Sequence, residues 1–148
     1  MSTYTQILYQ IVFGTYNRTK SLKAEGRDDL YRYIAGILAN KKCHLYQIGG
    51  VEDHVHIITH LHPAISLSSL VKDIKLATTE HIRNHKLFKS FDGWQEGYGG
   101  FTYSISAKDN LIEYVKNQEA HHRKISAKEE FMNLLREHDI AYNDRFPV

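Results

Sequence analysis

The sequence predicts an α+β fold: an antiparallel sheet of ferredoxin-like (RRM-like) character, backed by helices. Three observations predict it. Strand and helix patterns alternate without the regular βαβα rhythm of a parallel sheet, two strand patterns are joined by a short glycine-rich link, and long amphipathic helix patterns flank them. The chain has 148 residues, of which 42% are apolar and 24% charged. We therefore expect residues 1–148 to form one globular domain.

The first half of the chain predicts three strands and a helix. Residues 4–15 are rich in β-branched and aromatic types and contain no proline, which is typical of a strand. Residues 27–41 place apolar side chains on one side of a helix. Residues 43–48 and 54–60 are strand patterns linked through Gly-Gly-Val-Glu-Asp, which predicts an antiparallel hairpin.

Residues 66–86 predict a long helix with two distinct faces. Serines at its start can cap it. At 100° per residue its apolar side chains share an arc of roughly 140°, which predicts a core face. Its basic residues share a separate arc of roughly 80°. This basic stripe is typical of a solvated helix face, and it is also a candidate track for a phosphate backbone. The stripe consists of Lys72, Lys75, Arg83 and Lys86.

The second half predicts a loop, one more strand and two helices. An aromatic, glycine-rich loop covers residues 91–100, and a strand covers 101–105. Residues 109–123 predict a helix with Asp109 as its N-cap. A capping-box pattern at 126–129 begins a last helix that runs to about His138.

Composition excludes several classes of protein. The formal net charge is only +2, so any binding of nucleic acid must come from a local patch. No apolar run approaches the roughly 20 residues that span a bilayer, and no secretory signal pattern is present. Cys43 is the only cysteine, so no disulfide can form within the chain, and a reducing cytoplasm is the expected location.

The segment His54-Val55-His56 carries the first chemical signal. Alternate residues of a strand project to the same face, so the two imidazoles can hold one divalent ion while Val55 points into the core. Asp53 can orient one of these imidazoles. Taken alone, this pattern is more typical of two solvent-facing histidines than of a metal site.

A second signal lies in the helix predicted over residues 109–123. Tyr114 and Gln118 are four residues apart and so share a face, together with apolar neighbours and His122. One interpretation is a tyrosine whose ring packs in the core and whose hydroxyl reaches the rim. The other is a nucleophilic tyrosine with Gln118 as an oxygen ligand one turn away; His122 is a reserve ligand.

Together these residues resemble the single-tyrosine HUH transposases of small bacterial insertion sequences and their repeat-associated relatives. Five blocks carry the resemblance, and they extend through almost the whole chain. They are Ile-Val-Phe-Gly-Thr-Tyr-Asn-Arg at 11–18, Asp-His-Val-His at 53–56, the helix start at 66–75, Trp-Gln-Glu-Gly-Tyr-Gly at 94–99, and Tyr-Val-Lys-Asn-Gln-Glu-Ala-His-His-Arg at 114–123.

The resemblance implies a Mg²⁺- or Mn²⁺-dependent enzyme that cleaves and transfers single-stranded DNA and recognises DNA hairpins at element ends. His54, His56 and Gln118 would then be metal ligands, and Tyr114 the nucleophile that forms a 5′-phosphotyrosine. A homodimer is implied, in a bacterial or archaeal cytoplasm, close to the nucleoid. The chain departs from the family in one respect: relatives often carry a glycine pair just before the tyrosine helix, and residues 106–109 contain none.

DNA contacts are expected from basic and aromatic side chains. Arg18 and Lys20 in the first loop, together with the basic stripe, are the candidate phosphate contacts. Tyr98 or Trp94 can stack on an unpaired base, although Trp94 also fits a core position.

Three alternatives remain open from the residues. The first is a domesticated relative that cleaves repeat hairpins without mobilising itself. The second is a non-catalytic module that binds single-stranded nucleic acid on its sheet. The third is a zinc hydrolase that uses His54, His56 and His60.

Overall fold

The computed structural model describes residues 2–142. Its centre is a four-stranded antiparallel sheet with the strand order β2-β3-β1-β4. The strands are β1 (Leu8–Gly14), β2 (His44–Gly50), β3 (His54–His60) and β4 (Gly99–Tyr103). The predicted hairpin of β2 and β3 and the predicted α+β class are confirmed.

In the described part of the chain, five α-helices accompany the sheet. They are α1 (Ala24–Asn40), α2 (Leu67–His85), α3 (Lys108–Lys116), α4 (Gln118–His122) and α5 (Ala127–Glu137). Among the described residues, no helix is long and apolar enough to cross a membrane.

The two faces of the sheet carry different layers. Ile11, Val55 and Ile57 pack with α1 and α2 in the larger apolar core. On the opposite face, Leu8 and Ile58 pack against α3, and Val12 and Phe101 pack against α5. Because side chains alternate along a strand, His54 and His56 lie on this second face, beneath the C-terminal helices.

The core face predicted for α2 is confirmed. Ser66 caps the helix by accepting a hydrogen bond from the Ser69 backbone N–H at 3.1 Å. Its buried residues are Leu70, Val71, Ile74, Thr78 and Ile82.

Three boundaries differ from the prediction for physical reasons. Strand β1 begins at Leu8 rather than residue 4, because Leu8 pairs with the last residues of both neighbours, His60 and Tyr103. Strand β4 lies two residues earlier than predicted, since Gly99 pairs with Val12. Helix α1 begins three residues earlier, where Gly26 packs closely on the Phe88 ring.

The helix predicted over residues 109–123 is two helices. Asn117, at φ −96° and ψ 20°, separates α3 from α4. Asp109 is not the N-cap; it lies in the first turn of α3, where its charge still favours the helix N-terminus.

Candidate active site

The two histidines of β3 are enclosed between the sheet and the C-terminal helices. His54 pairs with Gly14 and His56 with Val12 of the central strand, and the exposed fractions of the two histidines are 2% and 0%. The predicted common face is therefore confirmed, and the alternative of two solvent-facing histidines is wrong.

Tyr114 of α3 and Gln118 of α4 contact the two β3 histidines from the helical layer. Gln118 is 1% exposed, and its Oε1 lies 3.2 Å from Nε2 of His54. The ring centroids of Tyr114 and His56 lie 5.8 Å apart, edge to face. The break at Asn117 does not separate Tyr114 from Gln118. The four residues predicted from the sequence thus meet within one chain.

Glu130, which the sequence analysis did not single out, lies at the centre of this group. It projects from α5, is 3% exposed, and its Oε1 lies 2.8 Å from Nε2 of His56 and 3.0 Å from Nε2 of His122. Its Oε2 accepts hydrogen bonds from the Tyr114 hydroxyl and, at 3.0 Å, from the Gln118 amide. The available signal was a carboxylate on the apolar face of α5, four residues before the buried Leu134.

Each histidine of the group is held through its other ring nitrogen. Nδ1 of His54 lies 2.7 Å from the Asp53 carboxylate, which confirms the orienting role expected of Asp53. Nδ1 of His56 lies 2.8 Å from Oε1 of Gln10, and Nδ1 of His122 lies 2.9 Å from the carbonyl oxygen of Ile125. Partners of this kind orient the rings so that Nε2 faces the centre of the group.

Burial and mutual contacts shift the pKa values of these groups. Complete burial lowers the pKa of His56 to about 4. Burial also disfavours the charged form of His54, but the Asp53 and Glu130 carboxylates outweigh it and raise the pKa of His54. Burial acts to raise the pKa of the Glu130 carboxyl, but its contacts with His122, His54 and His56 outweigh burial and hold that pKa well below its usual range. Burial, and then Glu130, raise the pKa of the Tyr114 phenol, so it is protonated at neutral pH.

The donor atoms fit a metal ion. One nitrogen each from His54, His56 and His122 and one oxygen from Glu130 all lie within 4.8 Å of one another. Ligands about 2.1 Å from a common ion are separated by up to roughly 4.2 Å, so small adjustments suffice to place an ion among them. His60 lies outside this group; its Nδ1 is 3.1 Å from the backbone of Ile7. A zinc site made of His54, His56 and His60 is therefore not formed.

Two clefts open on either side of the group. The larger, of about 750 Å³, is lined by Arg18, His54 and Glu130 and extends past Tyr98 and Phe131. The smaller, of about 500 Å³, is lined by Asp53 and His122. It also contains the side chains of Lys20, Arg27 and Arg123.

The basic residues predicted to contact DNA divide by position. Arg18 and Lys20 lie beside the two clefts. The stripe on α2 belongs to the layer on the opposite face of the sheet, and Lys72, Arg83 and Lys86 are exposed there. Lys75 instead donates hydrogen bonds to the carbonyl oxygens of Gln95 at 2.8 Å and Gly97 at 2.6 Å, so it fixes the loop before β4.

The two aromatic candidates also separate. Trp94 packs edge to face on Phe13 at 5.0 Å and donates a hydrogen bond to Thr78 Oγ1 at 2.9 Å, so its ring is partly buried against the core. Tyr98 is 39% exposed and lines the larger cleft, where its ring is accessible.

Comparison with known proteins agrees with this geometry. No curated protein matches the chain. Two solved structures share the fold. One, from Deinococcus radiodurans R1, is described as a candidate transposase: it is 22% identical, has a TM-score of 0.62, and the match covers 80% of this chain and 95% of that one. The other is a REP-associated tyrosine transposase bound to a REP hairpin: it is 17% identical, has a TM-score of 0.61, and the match covers 84% of this chain and 76% of that one. The family model described as "Transposase IS200 like" matches residues 3–118. The chain belongs to the IS200-like transposase family, whose members are DNA-processing enzymes.

Proposed function

We propose that this chain is a metal-dependent, HUH-type endonuclease and strand transferase that acts on single-stranded DNA through Tyr114. The observation that carries the proposal is the meeting of the Tyr114 hydroxyl, Gln118 and the two β3 histidines around Glu130 within one chain. A buried cluster of this composition, with His54 and Glu130 lining one cleft and His122 lining another, is suited to phosphodiester chemistry rather than to core packing.

His54 and His56 would hold Mg²⁺ or Mn²⁺, with Gln118 as the expected third donor. The bound ion would withdraw charge from a non-bridging phosphate oxygen and so make the phosphorus easier to attack. Asp53 and Gln10 keep the two imidazoles oriented through Nδ1. The chain's own contribution is therefore largely positioning and electrostatic stabilisation.

Tyr114 would attack the scissile phosphodiester in line. A bond forms between the phenol oxygen and phosphorus as the bond from phosphorus to the 3′ oxygen breaks. The phenol loses one proton, and the departing 3′-hydroxyl gains one. Because the 5′-phosphotyrosine preserves the energy of the phosphodiester, a 3′-hydroxyl from another strand can reverse the step without ATP.

The substrate we propose is hairpin DNA with an unpaired flank. Arg18, Lys20 and Tyr98 stand beside the clefts, where phosphate contacts and base stacking are required. The exposed basic side chains of the α2 stripe would contact phosphates farther from the proposed cleavage site. They are Lys72, Arg83 and Lys86. A protein of the same fold has been solved with a REP hairpin bound. The proposal therefore also covers the case in which this chain is a domesticated relative that cleaves repeat hairpins without mobilising itself.

We further propose that the working form is a homodimer of single-domain chains. Each chain supplies one Tyr114, and two ends of a DNA element require two cuts. The side chains that we propose for catalysis contact one another within one protomer, so the second copy would serve the second end.

A purely binding module is less well supported. RNA-binding sheets of this class stack bases on an open face. Here α1 and α2 cover one face, and α3 and α5 cover the other.

The decisive experiment is capture of the covalent adduct. Hairpin-forming single-stranded DNA is incubated with the protein and Mn²⁺, and the products are separated under denaturing conditions. We expect a protein–DNA adduct that disappears in Tyr114→Phe and in the presence of a chelator. Tyr98→Phe is the matched control, because it removes a hydroxyl from the cleft but leaves the proposed nucleophile. An adduct formed equally by Tyr114→Phe would refute the assignment of the nucleophile.

A further inference from the structure

The position of Glu130 needs a physical explanation. A carboxylate that is 3% exposed has lost nearly all its hydration, which is unfavourable unless charged or hydrogen-bonding partners replace the water. Its Oε1 is surrounded by three imidazole nitrogens, with His54 Nε2 at 3.2 Å, His56 Nε2 at 2.8 Å and His122 Nε2 at 3.0 Å. The helix α5 thus places its one buried carboxylate where the nitrogens converge.

The three rings share a second property. In each, Nδ1 lies within 2.9 Å of an oxygen atom, which favours a proton on Nδ1. A neutral imidazole protonated on Nδ1 presents a lone pair, not a hydrogen, on Nε2. When all three imidazoles are neutral in this form, three lone pairs and the carboxylate converge, and a cation among them is attracted to all four. This arrangement therefore offers a metal ion three nitrogen donors and one carboxylate oxygen at a single point.

We propose that Glu130 is a ligand of the divalent ion that His54 and His56 hold. Only the role of Glu130 in catalysis rests on the proposed function. The ion site itself follows from the donor atoms. Oε1 faces the imidazoles and would bind the ion. Oε2 accepts hydrogen bonds from Tyr114 and Gln118, so the same carboxylate connects the ion to the nucleophile.

This assignment gives α5 a specific task. The other proposed ligands lie on β3 and at the start of α4, whereas Glu130 comes from the later helix α5. The family match ends at residue 118, so α5 lies beyond it. A ligand supplied from this segment would distinguish this chain's metal site from one made by two histidines and a glutamine alone.

The test measures binding of Mn²⁺ in the absence of DNA. The full chain is treated with a chelator and dialysed, and Mn²⁺ is added while free Mn²⁺ is followed by electron paramagnetic resonance. We expect one site per chain, with affinity reduced at least about tenfold in Glu130→Gln. Glu129→Gln is the matched control, since it removes the same charge from an exposed position on the same helix, and it should bind as the wild type does.

Two outcomes would overturn the proposal. Unchanged affinity in Glu130→Gln would mean that the carboxylate only holds the histidines in place. Tighter binding would mean that it competes with the ion for the imidazoles. If Glu130→Gln does not fold, Glu130→Asp keeps the charge and shortens the side chain by one methylene. We expect it to bind Mn²⁺ more weakly than the wild type, and wild-type affinity would again overturn the proposal.

The outcome is separable from that of the proposed function. If Glu130→Gln loses Mn²⁺ while the wild type never forms a DNA adduct, the metal site stands and the transferase proposal fails. If the wild type forms the adduct and Glu130→Gln binds Mn²⁺ normally, the transferase proposal stands and this inference fails.

Discussion

Substituting Gly49 should displace the helix that carries Tyr114. Gly49 lies on β2, where an added Cβ would be 2.3 Å from the carbonyl oxygen of Val115 and 2.8 Å from its Cγ1. Ordinary contact begins at 3.4 Å, so in Gly49→Ala helix α3 must move away by about 1 Å. Overpacking of this size costs about 1–3 kcal/mol. Because Tyr114 precedes Val115, its hydroxyl should shift by a similar distance, which can slow a positioned reaction by about 100-fold.

Gly36→Ala is the matched control for this change. Gly36 lies within α1, and an added Cβ there has no heavy atom within 4 Å. It should stabilise the chain by about 0.5–1 kcal/mol and leave catalysis unchanged. Urea unfolding would measure the free energy of unfolding, and adduct formation at saturating DNA would measure the rate. If Gly49→Ala matched Gly36→Ala in both, the reasoning that this close contact positions Tyr114 would be refuted.

Three further predictions concern charge, pH and assembly. Arg18→Gln should slow adduct formation at saturating DNA, because Arg18 lines the same cleft as His54. Lys20→Gln should mainly weaken DNA binding and reduce the salt dependence of that binding. If the two variants changed the rate of adduct formation and the DNA affinity equally, this division would be contradicted. The free energy of unfolding should fall by up to about 3 kcal/mol as the pH drops from 6.5 to 4, because burial lowers the pKa of His56 to about 4 and the unfolded chain then binds more protons in this window. Urea titrations across this range would measure it, and His56→Gln should flatten the dependence. Light scattering should give a dimer mass when hairpin DNA is bound; a monomer that still joins two DNA ends would contradict the proposed homodimer.

Periodicity predicted most of the fold because the relevant patterns are local. The apolar arc of α2 and its serine cap are properties of one segment, and both are observed. The start of β1 was not predictable in this way. It depends on where His60 and Tyr103 end the neighbouring strands, which only the paired sheet determines.

The sequence predicts the candidate site where the spacing of two residues places them on the same face of a strand or helix. The two-residue spacing of His54 and His56 and the four-residue spacing of Tyr114 and Gln118 placed each pair correctly, although Asn117 divides the helix between the latter. The sequence does not predict Glu130 as a site residue, because a glutamate in an amphipathic helix ordinarily faces water. Its contacts are also distant in sequence: His54 lies 76 residues before it. The basic stripe predicts Lys75 as a DNA contact, because nothing in its own helix indicates the loop carbonyls to which it donates hydrogen bonds.

The gathering of His54, His56, Tyr114 and Gln118 on a single polypeptide has a kinetic consequence. Breaking one strand would need only one molecule bound to one hairpin, so its rate at saturation should be independent of enzyme concentration. Joining two DNA ends would require two DNA-bound copies to meet, so the rate of joining should rise with enzyme concentration. At low copy number, such a protein would nick far more often than it recombines.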